Sequence, residues 1–466
     1  MQISNFLQVY KFQLLLALSS LLFYWAFAYD LTRTDTTKLL MLYAALFAVF
    51  YKLIQLTKHN IQYLTWIAFG FRAVFILAIP NLSQDFYRFI WDGRMILEGF
   101  NPYLYTPESF ISMSIFPVAQ AQELYNGMGL LNASHFTNYP PLNQLCFVIA
   151  GLLSGKNILG SVVVLRLIII AADFGILYFG RKLLIRFKLP EHVIFWYILN
   201  PFIIIELTGN LHFEGVMLFF LIWSLYLLEK SKWQWAAVVF ACSVSVKLIP
   251  LLFLPLFFRW FRKDVLMASE TTESYKVDIL KLLSFYGIVG LTTACLFLPF
   301  YSTEFLTNYT HTIALWFQNF EFNASVYYIL RAIGYWISGY NQIAIIGKLT
   351  ALFIFLFIIG MAIYKKPKKT TQLIAAMLIA LSMYYFTATT VHPWYVATLV
   401  LLAVFTDYKF PIVWSFMIIF SYLAYSNSSN SENIWIIAFE YVVVFSVFLH
   451  DIFKSKPLDT EFSKTF

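Results

Sequence analysis

The stretch SQDFYRFIWDGRMILEGFNPY, residues 83–103, sets two aspartates, two arginines and a glutamate among aromatic residues in a chain that is otherwise largely apolar. A carboxylate held in a partly dry place has its pKa raised by desolvation and becomes a better base toward a hydroxyl. Between Asp85 and Leu97 the one helix breaker is Gly93, so the spacing predicts a short amphipathic helix lying on the bilayer surface. On it Asp85, Arg88 and Asp92 stand at i, i+3 and i+7 and share a face, with Phe86, Phe89, Ile90 and Ile96 largely on the other. At a rise of 1.5 Å per residue the two aspartates are roughly 10 Å apart, too far to share a proton. One of them can act as a base while the other orients a substrate or pairs with Arg88 or Arg94. A purely structural ladder of ion pairs reads equally well from the same residues.

Other polar residues stand out against the apolar background: His212 and Glu214 in GNLHFEG (209–215), Lys247 inside an apolar run, and His392 in HPWY (392–395). A lysine at the membrane centre costs about 2.5–3.5 kcal/mol on insertion scales, so Lys247 calls for either a function or a place near a helix end. Arg166 and Asp173, seven apart in one apolar run, read as structural partners of their neighbours.

Composition determines which elements must position these groups. Of 466 residues, 61% are hydrophobic and 12% charged, and mean hydropathy is +0.73. Soluble domains carry roughly 25% charged residues, so the expected class is an all-α, multi-pass integral membrane protein. The net charge of +8 sits in short clusters between apolar runs and is no nucleic-acid footprint. Cys146, Cys242 and Cys295 have no paired spacing, which argues against a disulfide framework or a zinc site. The first apolar run lacks a basic n-region and a small-residue cleavage motif and reads as a retained anchor. Runs long enough to span fall near 12–28, 38–57, 61–80, 158–180, 190–209, 211–229, 279–301, 343–363, 371–390, 410–427 and 434–452, with a shorter one near 394–407. Two more, 141–155 and 233–258, are awkward. If the first lies along the interface and the second folds back near Lys247–Pro250, the basic clusters RKLLIRFK (181–188), EKSK (229–232), RWFRK (259–263), KKPKK (365–369) and KSK (454–456) all fall on the cytoplasmic side. The 81–140 loop, the GNLHFEG turn and the 302–342 loop then face outward. In the first of these, Gly99 is placed to end the helix and Pro102 to stop it restarting, and NYPPLNQL (138–145) gives a second proline-braced start.

Taken in order, Asp85, FIWDGR around Asp92, GFNPY (99–103), YPPL (139–142), NLHFEG (210–215), KLIPLLFLP (247–255) and HPWY (392–395) resemble the GT-C membrane glycosyltransferases that use polyprenyl-phosphate sugars. Within these they are similar to GPI mannosyltransferase I-like and bacterial mannosyltransferases. The resemblance implies one domain over 1–466 embedded in the lipid bilayer, a bundle of about 12–14 transmembrane helices with juxtamembrane helices in the first outer loop. It implies transfer of a hexose, with mannose the family's sugar, from a polyprenyl-phosphate donor to a glycan or glycolipid acceptor. The expected setting is the periplasmic face of a bacterial inner membrane. Asp85 becomes the base of an inverting displacement. Arg88, Asp92, Arg94, Tyr139, His212, Glu214, Lys247 and His392 become candidate substrate-binding residues, with Lys247 and His392 near the phosphate. The chain departs from the family in having no second acid within two positions of Asp85, which leaves a divalent metal without an indicated site. The acidic residue of the second outer loop is Glu214. Two other readings stand beside this one: a transporter or flippase of lipid-linked sugars, for which no convincing internal repeat is visible, and a structural subunit of a glycan-assembly complex.

Overall fold

A chain this apolar must satisfy its backbone hydrogen bonds within its own segments, and helices do this best in a bilayer. The computed structural model describes residues 3–265, 274–318, 320–427 and 430–454, and it is helical almost throughout. Among the described residues seven helices are long and apolar enough to cross a membrane: Tyr10–Tyr29, Thr36–Thr57, Ile158–Arg186, Ile279–Phe300, Ile343–Tyr364, Thr370–Thr387 and Ile434–Lys454. The helices Glu191–Ile198 and Pro201–Gly209 are bent by 49° at the break between them, the geometry of a broken span or a re-entrant loop. Shorter apolar helices cover Pro141–Ser154, Trp233–Val246, Ile249–Arg259, Pro393–Ala403 and Phe410–Ser426. A small antiparallel hairpin, Arg262–Val265 with Ser274–Val277, was not expected from the sequence.

Local chemistry sets several of the boundaries. The side chains of Asp35, Asn60 and Asn157 accept from backbone N–H groups in the first turns of the helices that follow them. The helix Asp85–Leu97 ends on Gly99 at φ +83°, where Phe100 N–H reaches Met95 O (2.9 Å) and Gly99 N–H reaches Ile96 O (3.1 Å), a Schellman ending. The 233–258 run breaks at Lys247, whose backbone is extended (φ −148°, ψ 145°), and resumes as the 3-10 helix Ile249–Arg259 with Pro250 in its first turn. The 61–80 run is helical only over Ile61–Val74.

The helix Asp85–Leu97 does not lie open on the membrane surface. Phe86, Phe89, Ile90, Trp91 and Met95 are buried in protein, enclosed by the helices Ala121–Ala133 and Pro141–Ser154. Gly93 is what lets it dock so closely: a Cβ there would fall 2.3 Å from the carbonyl oxygen of Phe147.

Arg166 and Asp173 are each tied down inside the bundle. Arg72 Nε donates to Asp173 at 2.7 Å, and both side chains are fully buried. Arg166 donates to the carbonyls of Thr208 (2.8 Å), Ile76 (2.9 Å) and Gly209 (3.0 Å). It thereby satisfies the end of the π-helical turn Ile204–Gly209, whose wide winding leaves carbonyls for an outside donor.

Candidate functional site

The turn after that π-helix sets the position of Asp85. Asn210 accepts the Leu82 N–H at 3.2 Å, and three residues later Asp85 opens its helix with its own N–H on Ser83 Oγ at 3.3 Å. Asp85 projects into a cavity of about 910 Å³. Arg88, Tyr139, Glu214, Lys247 and His392 line the same cavity, so six of the nine residues singled out from the sequence come together there.

Asp92, Arg94 and His212 do not reach the cavity lining. Asp92 is fully buried beneath it, accepting from Arg88 Nε at 2.7 Å and Gln144 Nε2 at 3.2 Å. Arg94 clasps the following loop through Ala119 O (2.7 Å) and Gln120 Oε1 (3.3 Å). His212 lies behind the wall, stacked on Trp394 with ring centroids 3.6 Å apart.

The cavity's charges are almost all spent on one another. Lys247 is ion-paired with Glu214. Arg331 pairs with Glu321 at 2.6 Å. Arg88 pairs with Asp92, and its Nη1 also holds the carbonyls of Asn132 (2.6 Å) and His135 (2.8 Å). Glu432 accepts from the Tyr328 hydroxyl and from the Asn323 N–H at 2.6 Å. Asp85 differs: among the described residues its carboxylate has no cation partner and one hydrogen bond, from Asn132 Nδ2 to Oδ1 at 3.1 Å. Burial pushes its pKa above the usual carboxylate range, while the Asn132 hydrogen bond and then the charge of Lys247 pull it part of the way back.

His392 is carried to the cavity by a short parallel bridge between Phe322 and Thr390, in which Phe322 N–H donates to Thr389 O (3.1 Å) and Val391 N–H to Phe322 O (2.8 Å). Its ring stacks on Trp394 (4.7 Å) and Phe322 (5.4 Å). Burial, and secondarily the nearby Lys247 charge, push its pKa down to about 3. An imidazole with that pKa is neutral at physiological pH, with one ring nitrogen to donate and one to accept. Among the described residues no three His, Cys, Asp or Glu side chains converge as metal ligands.

Sequence reasoning missed Asn132, Trp394, Tyr395, Tyr425, Glu321, Arg331, Glu432 and Arg33, all of which line the cavity. The local sequence marks Asn132 only as the first residue of one of five Asn-X-Ser/Thr triplets, the others beginning at Asn81, Asn308, Asn323 and Asn427. From its aromatic and polar residues WFQNFEFNASVYY (316–328) reads as a loop near the site that covers the acceptor, and Phe320, Glu321, Phe322 and Tyr328 from it line the cavity together with Arg331.

The helices and the chamber define the class first: an all-α, multi-pass membrane protein with a polar, acid-bearing chamber let into its bundle. Residues 11–262 match the family described as alpha-(1->6)-mannopyranosyltransferase, N-terminal domain, and the chain belongs to that family. Over 192 residues it is also 24% identical to alpha-(1->6)-mannopyranosyltransferase A of Corynebacterium glutamicum, a match covering 39% of this chain. The matched stretch spans about a third (35%) of that relative's own length.

Proposed function

We propose that the protein is a mannosyltransferase that moves mannose from a polyprenyl-phosphate donor to a glycan or glycolipid acceptor, at the periplasmic face of a bacterial inner membrane. The observation that carries the reading is the state of Asp85: a cavity carboxylate with no cation partner among the described residues, in a chamber whose other acids are paired or doubly hydrogen-bonded. Family membership supports the sugar. The wall that continues from Lys247 into Leu248 and Ile249, with Ile354 of the apolar span Ile343–Tyr364, suits a lipid tail.

In this mechanism the acceptor oxygen bonds to the anomeric carbon as the bond from that carbon to the phosphate oxygen breaks. Asp85 takes the hydroxyl proton, the electron pair leaves with the polyprenyl phosphate, and the configuration inverts. A positioned base of this kind contributes roughly 100- to 10,000-fold. Lys247 and His392 offer hydrogen bonds to the leaving phosphate, and Tyr139 and Glu214 contact substrate. Arg88 holds the Asn132 segment in place, and Asp92 and Arg94 support it from outside the chamber.

The test is donor turnover by purified protein in nanodiscs with a short-chain polyprenyl-phosphate-mannose, wild type beside Asp85→Asn. Turnover is expected to fall roughly 100- to 10,000-fold. Thermal stability at pH 7 should be unchanged or higher. The folded-state pKa of Asp85 lies above its unfolded value, so its stabilising contribution is present at low pH and lost as pH rises through the folded pKa. The neutral amide escapes that loss. Equal turnover in the two proteins would remove Asp85 as the base.

A further inference from the structure

The same comparison of charges leaves one cation over. Arg33 lies in the turn between the helices Ile3–Tyr29 and Thr36–Thr57, on the side of the molecule where Asn81 ties the first outer loop to the carbonyls of Phe27 (2.7 Å) and Leu31 (3.0 Å). It lines the cavity. Its guanidinium stands over the Tyr425 ring, 4.0 Å from the centroid, and Nη1 donates to Leu82 O at 3.4 Å. No acidic side chain pairs with it among the described residues, and neither Nε nor Nη2 makes a hydrogen bond there. Arg88, Lys247 and Arg331 each have a carboxylate partner.

The charge of Lys247 is felt by Asp85 and His392, and that of Arg33 by Tyr425, a ring that also feels Asp85. Lys247 leads into the apolar wall, and Arg33 is flanked by Leu82 and Tyr425. A guanidinium fixed from behind by an aromatic face, with one edge of its fork unspent, is arranged for two-pronged contact with an oxyanion.

We propose that Arg33, braced by Tyr425, is an oxyanion-binding subsite of the chamber that takes phosphate or carboxylate oxygens of a substrate. This rests on the glycosyl-transfer reading of the cavity. The oxyanion has two possible sources, the phosphate of the donor or an acidic group on the acceptor. Both present the same chemistry to the fork, and neither ion pair around Lys247 or Arg331 supplies a free positive charge for it.

The experiment compares wild type, Arg33→Gln and Arg33→Lys in nanodiscs. One arm measures equilibrium binding of short-chain polyprenyl phosphate. A second measures binding of an alkyl mannoside, neutral or carrying a carboxylate. Binding needs no turnover, so its outcome is separable from that of the Asp85→Asn test. Loss of charge-assisted hydrogen bonds predicts affinity for the anionic probe weaker by roughly 10- to 100-fold in Arg33→Gln, at unchanged affinity for the neutral mannoside. Arg33→Lys keeps the charge without the fork and is expected to fall between the two, which also guards against misfolding in the glutamine variant. A loss seen with polyprenyl phosphate assigns the subsite to the donor, and a loss confined to the carboxylate-bearing mannoside assigns it to the acceptor. Unchanged binding of both anionic probes in folded Arg33→Gln overturns the proposal.

Discussion

If Asp85 is the base, the pH at which transfer fails in acid reports its pKa, and Asn132→Ala moves that pH in a known direction. Burial raises the Asp85 pKa, and the amide of Asn132, donating to Oδ1 at 3.1 Å, is the larger of the two influences that lower it. A hydrogen bond to a charged group is worth about 1.5–3 kcal/mol and favours the ionised carboxylate, so its loss raises the pKa further. Asp85 is only half-buried, and water entering the space left by the amide recovers part of this energy. The base works deprotonated. The acidic limb of kcat/KM therefore shifts to higher pH, while the plateau above it stays within a few-fold of wild type. The assay is the pH profile of mannosyl transfer for the two proteins at saturating lipid donor, with thermal stability followed in parallel. A limb that does not move, or that moves to lower pH, would refute either the identity of the base or its bond to Asn132. Repeating the profile in Asp85→Asn, where no limb from this group remains, separates those two failures.

Two further substitutions probe what holds the chamber together. Lys247→Met leaves Glu214 buried without its cation and is expected to destabilise the protein by about 3 kcal/mol, the lower end of the range for a broken buried pair, because Lys247 keeps 21% of its side chain exposed. Adding Glu214→Gln should restore most of that stability in denaturation without restoring transfer, and a double variant as unstable as the single one would contradict the pairing. Gly93→Ala sets a methyl group 2.3 Å from Phe147 O, so the helix Asp85–Leu97 must move off the helix Pro141–Ser154. A loss of about 1–3 kcal/mol is expected, with weaker donor binding, and wild-type stability would show that the contact is slacker than drawn.

Local spacing made part of this legible in advance. Asp85, Lys247 and His392 were conspicuous because they are polar residues beside proline, glycine or apolar runs, and Gly99 ends its helix as the sequence expected. Partnerships were not legible, since each joins residues far apart in the chain. Asp85 finds Asn132 at a separation of 47 residues, Lys247 finds Glu214 at 33, and Asp173 finds Arg72 at 101. Arg94 reads from the sequence as a substrate-binding cation, whereas in the fold it lies outside the cavity lining and donates to Ala119 O and Gln120 Oε1. The residue type of His392 suggested a positive charge near a phosphate, but enclosure among aromatic rings keeps it neutral, and enclosure cannot be read from a tetrapeptide. Arg33 carries no local signal of its own, because its turn also holds Asp35, which caps the helix that follows it, and Asp30, which pairs with Lys38.

The two readings of the opening motif, a base and an ion-pair ladder, turn out to depend on each other. Arg88 had a choice of carboxylates one helical turn away on either side, Asp85 at i−3 and Asp92 at i+4. It takes Asp92, and the surroundings explain the choice. Gln144 Nε2 lies between Asp92 Oδ2 (3.2 Å) and Thr137 Oγ1 (3.1 Å), which fixes that carboxylate in the dry interior, where a buried acid cannot remain charged without a cation. With Nε so engaged, Nη1 reaches the carbonyls of Asn132 and His135 and brings the amide of Asn132 onto Asp85. The ladder thus draws the positive charge away from Asp85 and supplies a neutral donor in its place. An Arg88–Asp85 pair would have lowered the Asp85 pKa and made it a poor base; the pair that forms leaves Asp85 unneutralised and oriented at the cavity wall.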